Sequence, residues 1–380
     1  MTSIAPSSVL GEHLGYVADR VRLERYRSAI ARVIKAGDLI ADLGCGTGVL
    51  GLLCLRAGAA QVYAIDSTAM LEVARNSAQR AGLADRIRHV QGKAHQVDLP
   101  ERVDVVICDQ VGYFGFDYGI VHSLQDARLR FLKPGGSLIP ARIELQLAAV
   151  ESARCAALAD GWRAVDVPEE FHWLREYAVN TKHAVEFTRG ELLCAPARLG
   201  EIDLRAANPE FFSWTAQLRV ERDGVLHGLA GWFECELAPA VWMTNSPLSE
   251  QKIDRPQVLL PFAETVAVRQ GDVLNATVMA RPADQLIAWA VEAPATGQKL
   301  SHSTWHGELF TSELARKLDP AHVPQPTRTG SAKAIVLGYC DGARTARQIE
   351  ETVLREHPNL LPSAGEISRF VAQVLGRDTE

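Results

Sequence analysis

The residues most suggestive of chemistry form a short glycine-rich turn between a predicted strand and a predicted helix. The turn runs Asp42-Leu-Gly-Cys-Gly-Thr-Gly48, and the next predicted strand, QVYAID, ends at Asp66. Glycines let a backbone turn sharply and approach a ligand closely. An acidic residue at the end of the second strand of such a unit is well placed to accept hydrogen bonds from ribose hydroxyls. The pattern therefore predicts a site for a ribose-containing cofactor.

Three other interpretations of this turn compete with that one. A phosphate-binding loop would end in Gly-Lys followed by Ser or Thr, and this turn does not. A dinucleotide fingerprint would read GxGxxG, but Val49 follows Gly48, so the spacing is GxGxG. An ordinary glycine turn stays open as the third. The spacing favours a cofactor that has ribose and adenine but no pyrophosphate, and S-adenosylmethionine fits that description.

Seven residues around the turn share a predicted role in binding this cofactor: Asp42, Gly44, Gly46, Gly48, Asp66, Ala94 and His95. Asp42 would face the amino-acid portion of the cofactor or order the loop. Asp66 would hold the ribose. Ala94 and His95 follow the next predicted strand, where the adenine edge is expected.

The elements that position these residues follow from the spacing of apolar residues. Strands alternate with helices over residues 36–140, which is typical of a parallel sheet covered on both faces. After Pro140 the segments are β-rich, which favours an antiparallel barrel or sandwich. Residues 319–330 contain three prolines and are typical of a linker. Three amphipathic helical patterns follow the linker.

The predicted fold is therefore a doubly wound, Rossmann-like α/β domain, followed by an antiparallel β-barrel domain and a small helical C-terminal module. The predicted parts are a helical segment at 1–35, the cofactor domain at 36–142, the barrel domain at 143–310 with a helical arm near 155–180, the linker at 319–330 and the module at 331–380.

Several stretches match one known family. They are Asp19-Arg-Val-Arg22, ADLGCGTGVL at 41–50, VGYF at 111–114 and LKPGGSLIPAR at 132–142. Through them the chain from about His13 to Ala293 resembles the protein arginine methyltransferases. The resemblance implies that Arg22 pairs with the cofactor carboxylate, which suits a fixed guanidinium fork. It also implies a homodimer formed through the arm near 155–180.

The loop after Cys108 departs from that family. Arginine methylation needs two carboxylates to hold the guanidinium, and the family supplies them in a loop written SExxGYxxxxE. Here Asp109 replaces the first Glu, Tyr118 replaces the second, and Asp117 lies one residue early. A shift of one residue turns a side chain well away, so the sequence predicts that arginine is an unlikely acceptor. Lys252-Ile-Asp254 replaces the family's Thr-His-Trp element.

Four side chains are predicted to line the acceptor pocket: Asp109, Tyr113, Asp117 and Tyr118. Asp109 is the first of them, as a base or as an orienting group, since a base is needed only where the acceptor must lose a proton before transfer. For Asp109, ribose contact or loop hydrogen bonding is the competing interpretation.

The segment from Gly338 to Thr345, with Ile349, resembles the small leader-binding domains of peptide-modifying enzymes, which are related to the peptide chaperone of pyrroloquinoline quinone synthesis. This resemblance implies a ribosomally made precursor peptide as substrate, held by its leader near the active site. A helical packing appendage is the alternative for the module. For the whole chain the alternatives are a small-molecule methyltransferase and a non-catalytic adaptor.

Composition excludes several classes of protein. A net charge of −6 argues against a general nucleic-acid binder, and the apolar runs are too short to span a membrane. The first residues do not have the pattern of a secretion signal. Seven scattered cysteines without a CxxC pair indicate reduced thiols in a cytoplasmic protein and do not have the spacing of a zinc site.

Overall fold

A five-stranded parallel sheet forms the centre of the amino-terminal half. The structure is a computed structural model that describes residues 6–309, 312, 316–317 and 319–379. The strands of the sheet lie in the order β3-β2-β1-β4-β5. The elements of this half are α1 (Pro6–Ala18), α2 (Arg20–Val33), β1 (Leu39–Leu43), α3 (Val49–Arg56), β2 (Gln61–Asp66), α4 (Met70–Arg80), β3 (Ile87–Gln91), β4 (Val103–Cys108), α5 (Ile120–Arg130) and β5 (Leu132–Ile139).

The position of the site follows from the strand order. β1 and β4 are almost fully buried because both faces of the sheet are covered, and their sequences LIADL and VDVVIC are accordingly nearly continuous apolar runs. The chain runs outward from β1 through β2 to β3 and then returns to β4 on the other side of β1. Ligands of such sheets bind at the carboxyl ends of the strands where the order reverses, which here is between β1 and β4.

Two antiparallel sheets follow the parallel one. The first has the order β7-β12-β10-β6-β8 with β11 paired to β10, and the second has the order β15-β14-β13-β9. The strands are β6 (Arg142–Val150), β7 (His183–Val185), β8 (Ala197–Asp203), β9 (Phe212–Arg219), β10 (Gly224–Ala238), β11 (Val241–Thr244), β12 (Gln257–Val268), β13 (Val273–Arg281), β14 (Leu286–Ala293) and β15 (Gln298–Ser303). Burial alternates along β13 and β14, as expected for sheets with one face on a core.

The segment predicted as an arm is helical and exposes aromatic side chains. It contains α6 (Ala153–Asp160) and α7 (Arg175–Val179), joined by short 3₁₀ turns. Ser152 begins α6 as its N-cap, because its hydroxyl accepts a hydrogen bond from the backbone N–H of Cys155. Large apolar side chains elsewhere in the segment remain exposed: Trp162, Val165, Phe171 and Trp173.

The C-terminal part forms a compact unit of its own, which begins at Leu309. Its helices are α8 (Arg328–Leu337), α9 (Ala346–Glu356) and α10 (Ala364–Asp378). Each has a side-chain N-cap, and Thr345 forms a full capping box with Gln348. One cluster of buried residues joins the helices: Val336, Ile349, Val353, Ile367, Val371 and Val374.

The predicted fold class is confirmed: a Rossmann-like parallel-sheet domain, an antiparallel sheet domain and C-terminal helices follow one another. The helix α8 begins at Arg328, inside the segment predicted as a linker. Within the described part of the chain, none of the helices has the length and apolar character needed to cross a bilayer.

Candidate active site

A cavity of about 420 Å³ opens at the carboxyl ends of the parallel strands. Eight predicted cofactor-binding residues line it: Arg22, Asp42, Gly44, Gly46, Asp66, Ala94, His95 and Asp109. We call the part formed by residues 42–47, 65–68 and 92–95 the glycine-turn end. The part called the Asp109 end is formed by Glu12, Tyr16, Arg22, Asp109, Tyr118 and Arg255.

The glycine turn is held by the carboxylate of Asp66. Oδ2 of Asp66 accepts a hydrogen bond from the backbone N–H of Gly46 at 2.9 Å. Its Oδ1 accepts from the backbone N–H and the hydroxyl of Thr68 at 2.8 and 2.7 Å. A carboxylate has about four lone-pair sites, so Asp66 keeps acceptor capacity for a ribose hydroxyl. Gly46 has φ +52°, and a Cβ there would lie 2.9 Å from the ring of His13 on α1, which explains the glycine.

Gly48 differs from the other predicted glycines, because it is not part of the cavity wall in the described structure. It is the N-cap residue of α3 with φ +77°, and a Cβ there would lie 3.0 Å from the Cβ of Ala74 on α4. A glycine is therefore needed at this position for backbone conformation and for the packing of α3 beside α4.

Asp42 links the glycine turn to the first turn of α3. It is 1% exposed, and its Oδ2 accepts from the backbone N–H of Gly51 at 2.9 Å, in the first turn of α3. Burial, together with the neighbouring Asp66 and against the opposing hydrogen bond from Gly51, raises the pKa of Asp42 to about 7. Of the two predicted roles, loop ordering is the one these contacts support.

Ala94 and His95 begin a short 3₁₀ turn after β3 and lie at the glycine-turn end. Arg130 on α5 anchors this turn, since its Nη2 donates to the carbonyl of Ala94 at 2.6 Å. The His95 ring packs edge-on against His122, with 5.8 Å between centroids. The turn therefore has a defined position against α5, where an adenine ring can be recognised by shape and by backbone groups.

Asp109 and Arg22 form the core of the other end. Nε of Arg22 donates to Oδ2 of Asp109 at 2.6 Å, and Nη1 of Arg22 donates to the carbonyl of Tyr16 at 2.8 Å. The hydroxyl of Tyr26 donates to Oδ1 of Asp109 at 2.7 Å. Burial pushes the pKa of Asp109 upward, but Arg22 and Arg255 outweigh it and hold that pKa below its ordinary value. Asp109 is therefore an anion at neutral pH.

The sequence analysis missed Arg255, which lies between β11 and β12. Its Nη2 is 3.5 Å from Oδ2 of Asp109, and only 7% of its side chain is exposed. Its guanidinium lies 5.4 Å from the centroid of the Tyr16 ring. Arg255 follows directly after Lys252-Ile-Asp254, the stretch that replaces the family's Thr-His-Trp element. This position was the available signal in the sequence.

Glu12 and Tyr16 of α1 were also missed. The hydroxyl of Tyr16 donates to Oε1 of Glu12 at 2.7 Å, and the Tyr16 ring lies beside the guanidinium groups of both Arg22 and Arg255. These contacts place Glu12 at the Asp109 end of the cavity, where it is the second carboxylate. Its position on a helix one turn from Tyr16 was the available signal.

The remaining predicted pocket residues divide into two groups. Tyr118 lines the cavity, and Tyr113 packs edge-on against it at 5.5 Å without being part of the wall. Asp117 is 2% exposed and turned away from the cavity: it accepts from the backbone N–H of Phe114 at 2.9 Å and from Nζ of Lys182 at 2.8 Å. The structure thus gives Asp117 a loop-bracing position and no place in the pocket wall.

Two family models match the chain. Residues 40–136 match a methyltransferase domain, and residues 142–290 match the arginine methyltransferase oligomerization subdomain.

Curated relatives align over most of the chain. Probable protein arginine N-methyltransferase 6.1 of Oryza sativa subsp. japonica is 30% identical over 312 residues, which cover 71% of this chain and 78% of the rice protein. Protein arginine N-methyltransferase 1 of Schizosaccharomyces pombe is 28% identical, over 72% of this chain and 83% of the yeast protein. Probable protein arginine N-methyltransferase 6 of Arabidopsis thaliana is 29% identical, over 76% of this chain but only 66% of its own length.

Solved structures share the fold. A Trypanosoma brucei enzyme–prozyme heterotetramer of protein arginine methyltransferase 1 with S-adenosylhomocysteine has a TM-score of 0.68 at 19% identity, covering 77% of this chain and 97% of that one. Arabidopsis thaliana protein arginine methyltransferase 10 has a TM-score of 0.66 at 22% identity, covering 78% and 98%.

These relatives are named protein arginine N-methyltransferases, so the predicted function, a leader-guided peptide methyltransferase with arginine as an unlikely acceptor, is wrong. The prediction counted only the carboxylates of the loop after Cys108, and Glu12 of α1 also lines this cavity. The chain belongs to the protein arginine N-methyltransferase family, and it is a methyltransferase that uses S-adenosylmethionine as its methyl donor.

Proposed function

We propose that this enzyme methylates a guanidinium nitrogen of arginine in a protein or peptide substrate. The observation that carries the proposal is the presence of two carboxylates, Asp109 and Glu12, in the cavity that continues from the glycine turn. A guanidinium needs acceptors of this kind to hold it by charge-assisted hydrogen bonds and to direct one nitrogen at the methyl group. The names of the relatives point to the same acceptor.

In this proposal the glycine-turn end holds the donor. Asp66 accepts from the ribose, Ala94 and His95 border the adenine, and Asp42 keeps the turn in place. Arg22 pairs with the amino-acid carboxylate of the donor, as the family resemblance implies. When bound, the donor would supply an electrophilic methyl group on its sulfonium: the methyl C–S bond breaks as the C–N bond forms in line with it, and the neutral thioether is the leaving group.

The Asp109 end would hold the acceptor. Because two guanidinium groups lower the pKa of Asp109, it is a poor proton acceptor, and we propose it as an anchor that orients the substrate guanidinium. Glu12 has one oxygen bonded to the Tyr16 hydroxyl and the other free of any described partner. We therefore assign to Glu12 the removal of the proton that a guanidinium nitrogen must lose on methylation, and to Tyr118 the wall against which the substrate packs.

The test is a direct identification of the acceptor. Full-length protein is incubated with isotopically labelled S-adenosylmethionine and with matched peptides that differ only in Arg, Lys or His at one position. Methylarginine in the Arg peptide alone, located by fragmentation in a mass spectrometer, is the expected result. The E12Q variant should lose most of that activity, while E24Q, an exposed glutamate on α2, should keep it. Methyl transfer to the Lys or His peptide would refute the arginine assignment.

We further propose a homodimer formed through the segment near 155–180. Residues 142–290 match an oligomerization subdomain, and the segment near 155–180 exposes Trp162, Phe171 and Trp173. Exposed apolar groups of this size indicate a protein interface. Sedimentation at several concentrations would give a dimer mass for the native chain and a monomer mass for a W173S/F171S variant if the proposal is right.

The resemblance of Gly338–Thr345 to leader-binding domains stays a prediction. We propose only that the C-terminal unit recruits the protein substrate, and its separate core supports an independent role. A chain ending at residue 308 should then keep its KM for short peptides and show a higher KM for whole proteins.

We also propose a cytoplasmic location. It is supported by seven cysteines that are all unpaired, six of them buried. Fractionation of cells would test it.

A further inference from the structure

Arg255 has an unused hydrogen-bonding group at the Asp109 end of the cavity. Nη2 of Arg255 faces Asp109 at 3.5 Å, whereas Nη1 is buried and has no hydrogen-bond partner among the described residues. An unpaired polar group that is removed from water is costly, and native proteins usually satisfy it with a protein group, a water molecule or a ligand. Because Arg255 lines the cavity, the missing partner is expected from what binds there.

Counting charges identifies the partner as an anion. The Asp109 end contains two guanidinium groups, Arg22 and Arg255, and two carboxylates, Asp109 and Glu12. Oδ2 of Asp109 is shared between both arginines. A substrate guanidinium would add a third cation to this balanced group and would compete with Arg255 for Asp109. One more negative charge is therefore needed for the acceptor to bind well.

Among the described residues that form the Asp109 end, no further anion is present. The carboxylate of Asp117 is fully engaged with Lys182 and the backbone of Phe114. Tyr16 and Tyr118 remain neutral, because burial and hydrogen bonds to Glu12 and Tyr113 respectively raise the pKa of each phenol. In the proposed function the carboxylate of the donor pairs with Arg22, whose Nη2 donates to no described protein group.

We propose that Arg255 binds a carboxylate carried by the substrate itself, so that the enzyme selects arginines flanked by an acidic side chain. This inference rests on the proposed arginine acceptor. The substrate would bring its guanidinium to Asp109 and Glu12 and its carboxylate to the guanidinium of Arg255, which lines the cavity. A guanidinium is suited to this task because it is always charged, and its planar fork can face two anions at once.

The experiment compares two peptides and four forms of the full-length protein. The peptides are identical except that Glu or Gln stands beside the arginine, and kcat/KM is measured for the native protein, R255Q, R255K and the control R198Q. Arg198 lies on β8 with half its side chain exposed and away from the cavity wall. The Kd for S-adenosylhomocysteine and the thermal unfolding of each variant are measured in parallel.

We expect the native protein and R198Q to prefer the Glu peptide by about tenfold or more, as is usual for a charge-assisted hydrogen bond. In R255Q the preference should fall to less than about threefold, with an unchanged Kd for the cofactor product. If R255Q does not fold, R255K serves as the test. It keeps the positive charge but lacks the planar guanidinium, so its preference for the Glu peptide should be intermediate.

Three results would overturn the inference. Equal turnover of both peptides by the native protein would refute it while leaving the arginine assignment intact. A large loss of cofactor affinity in R255Q would assign Arg255 to the donor carboxylate. Failure of the native protein to methylate either peptide, with methylation of a Lys or His peptide, would refute the proposed function and the inference together.

Discussion

The two ends of the cavity are constructed in different ways. The glycine-turn end comes from consecutive strand–turn–helix units of one sheet, and its polar groups are paired within the protein: Asp66 with Gly46 and Thr68, Asp42 with Gly51. The Asp109 end is assembled from α1, α2, the loop after β4 and the segment before β12, and it keeps a buried unpaired nitrogen on Arg255. The glycine-turn end is therefore organised before its ligand binds. The Asp109 end has an unpaired donor, which we infer is satisfied by a charged group of the substrate.

This difference suggests how such a family could keep its donor and vary its acceptor. Substitutions at the glycine-turn end act mainly on a local network, in which Asp42 and Asp66 bind backbone groups nearby in sequence or on the neighbouring strand–turn unit. Substitutions at the Asp109 end change the balance of charge among side chains from distant elements, as Arg255 does here. The predictions below test this contrast, beginning with the largest expected effect.

Removing the Asp109 charge should destabilise the whole protein. D109N leaves Arg22 and Arg255 buried without their counter-ion, and breaking a buried pair in this way costs about 3–5 kcal/mol. D109E keeps the charge and should cost less than half as much. Urea unfolding measures both. Because the pKa of Asp109 is lowered in the folded state, this stabilisation is complete above the unfolded pKa of about 3.9 and is lost as the pH falls through the folded pKa.

If D109N unfolds at the same urea concentration as the native protein, the Asp109 end is not the tightly coupled charge group described here. The contrast between the two ends would then lose its main support. The comparison with D109E separates charge from shape, since D109N removes the charge with little change of shape and D109E keeps the charge but lengthens the side chain.

Removing the Asp66 carboxylate should weaken cofactor binding without a comparable effect on the acceptor. D66A removes the carboxylate that we propose accepts from the ribose, and it leaves the N–H of Gly46 without its partner. Hydrogen bonds to a charged group are worth about 1.5–3 kcal/mol each, so the Kd for S-adenosylhomocysteine should rise roughly 100-fold. Isothermal calorimetry gives this value directly.

D104A is the matched control for D66A. Asp104 lies on β4 of the same sheet and also accepts a backbone hydrogen bond, from Leu39 at 2.9 Å, but it is outside the cavity wall. Its Kd should stay within about threefold of the native value, because no hydrogen bond to the ligand is lost. A similar loss of affinity in both variants would show that D66A weakens cofactor binding by disturbing the parallel sheet, and that the glycine-turn end has no specific part in the effect.

The raised pKa of Asp42 predicts a pH dependence that belongs to the glycine-turn end. Between the unfolded pKa of about 3.9 and the folded pKa of about 7, the folded protein keeps a proton that the unfolded chain has released. Stability should therefore fall as the pH rises through this window, by up to about 1.4 kcal/mol per pH unit. D42N cannot ionise and should lack this slope.

The measurement is the difference in unfolding free energy between the native protein and D42N at several pH values, without cofactor. The difference should grow in favour of D42N from pH 4 to pH 7 and stay constant above. A constant difference across this range would mean that Asp42 is ionised throughout in the folded state, and that burial does not dominate its environment.

The fold and the donor site were largely readable from the chain. The alternation of strands and helices, the turn from Asp42 to Gly48 and the acid at Asp66 all express contacts between residues that are close in sequence or on adjacent strands. Gly48 shows the limit of this reading, because the pattern assigned it to the ligand, while its Cβ space is taken by Ala74 of a helix that follows a further strand.

The sequence by itself determined the class of fold and the kind of donor, because strand–turn–helix units encode their own geometry through apolar period, glycine and a terminal acid. Only the tertiary structure decided which charged side chains come together at the Asp109 end of the cavity. Lys182 binds Asp117, which lies 65 residues earlier in the chain, on the side away from the cavity. Glu12 and Arg255, which are far apart in sequence, both line the cavity. Pairing between distant side chains depends on how elements pack, and neither residue type nor spacing along the chain records that packing.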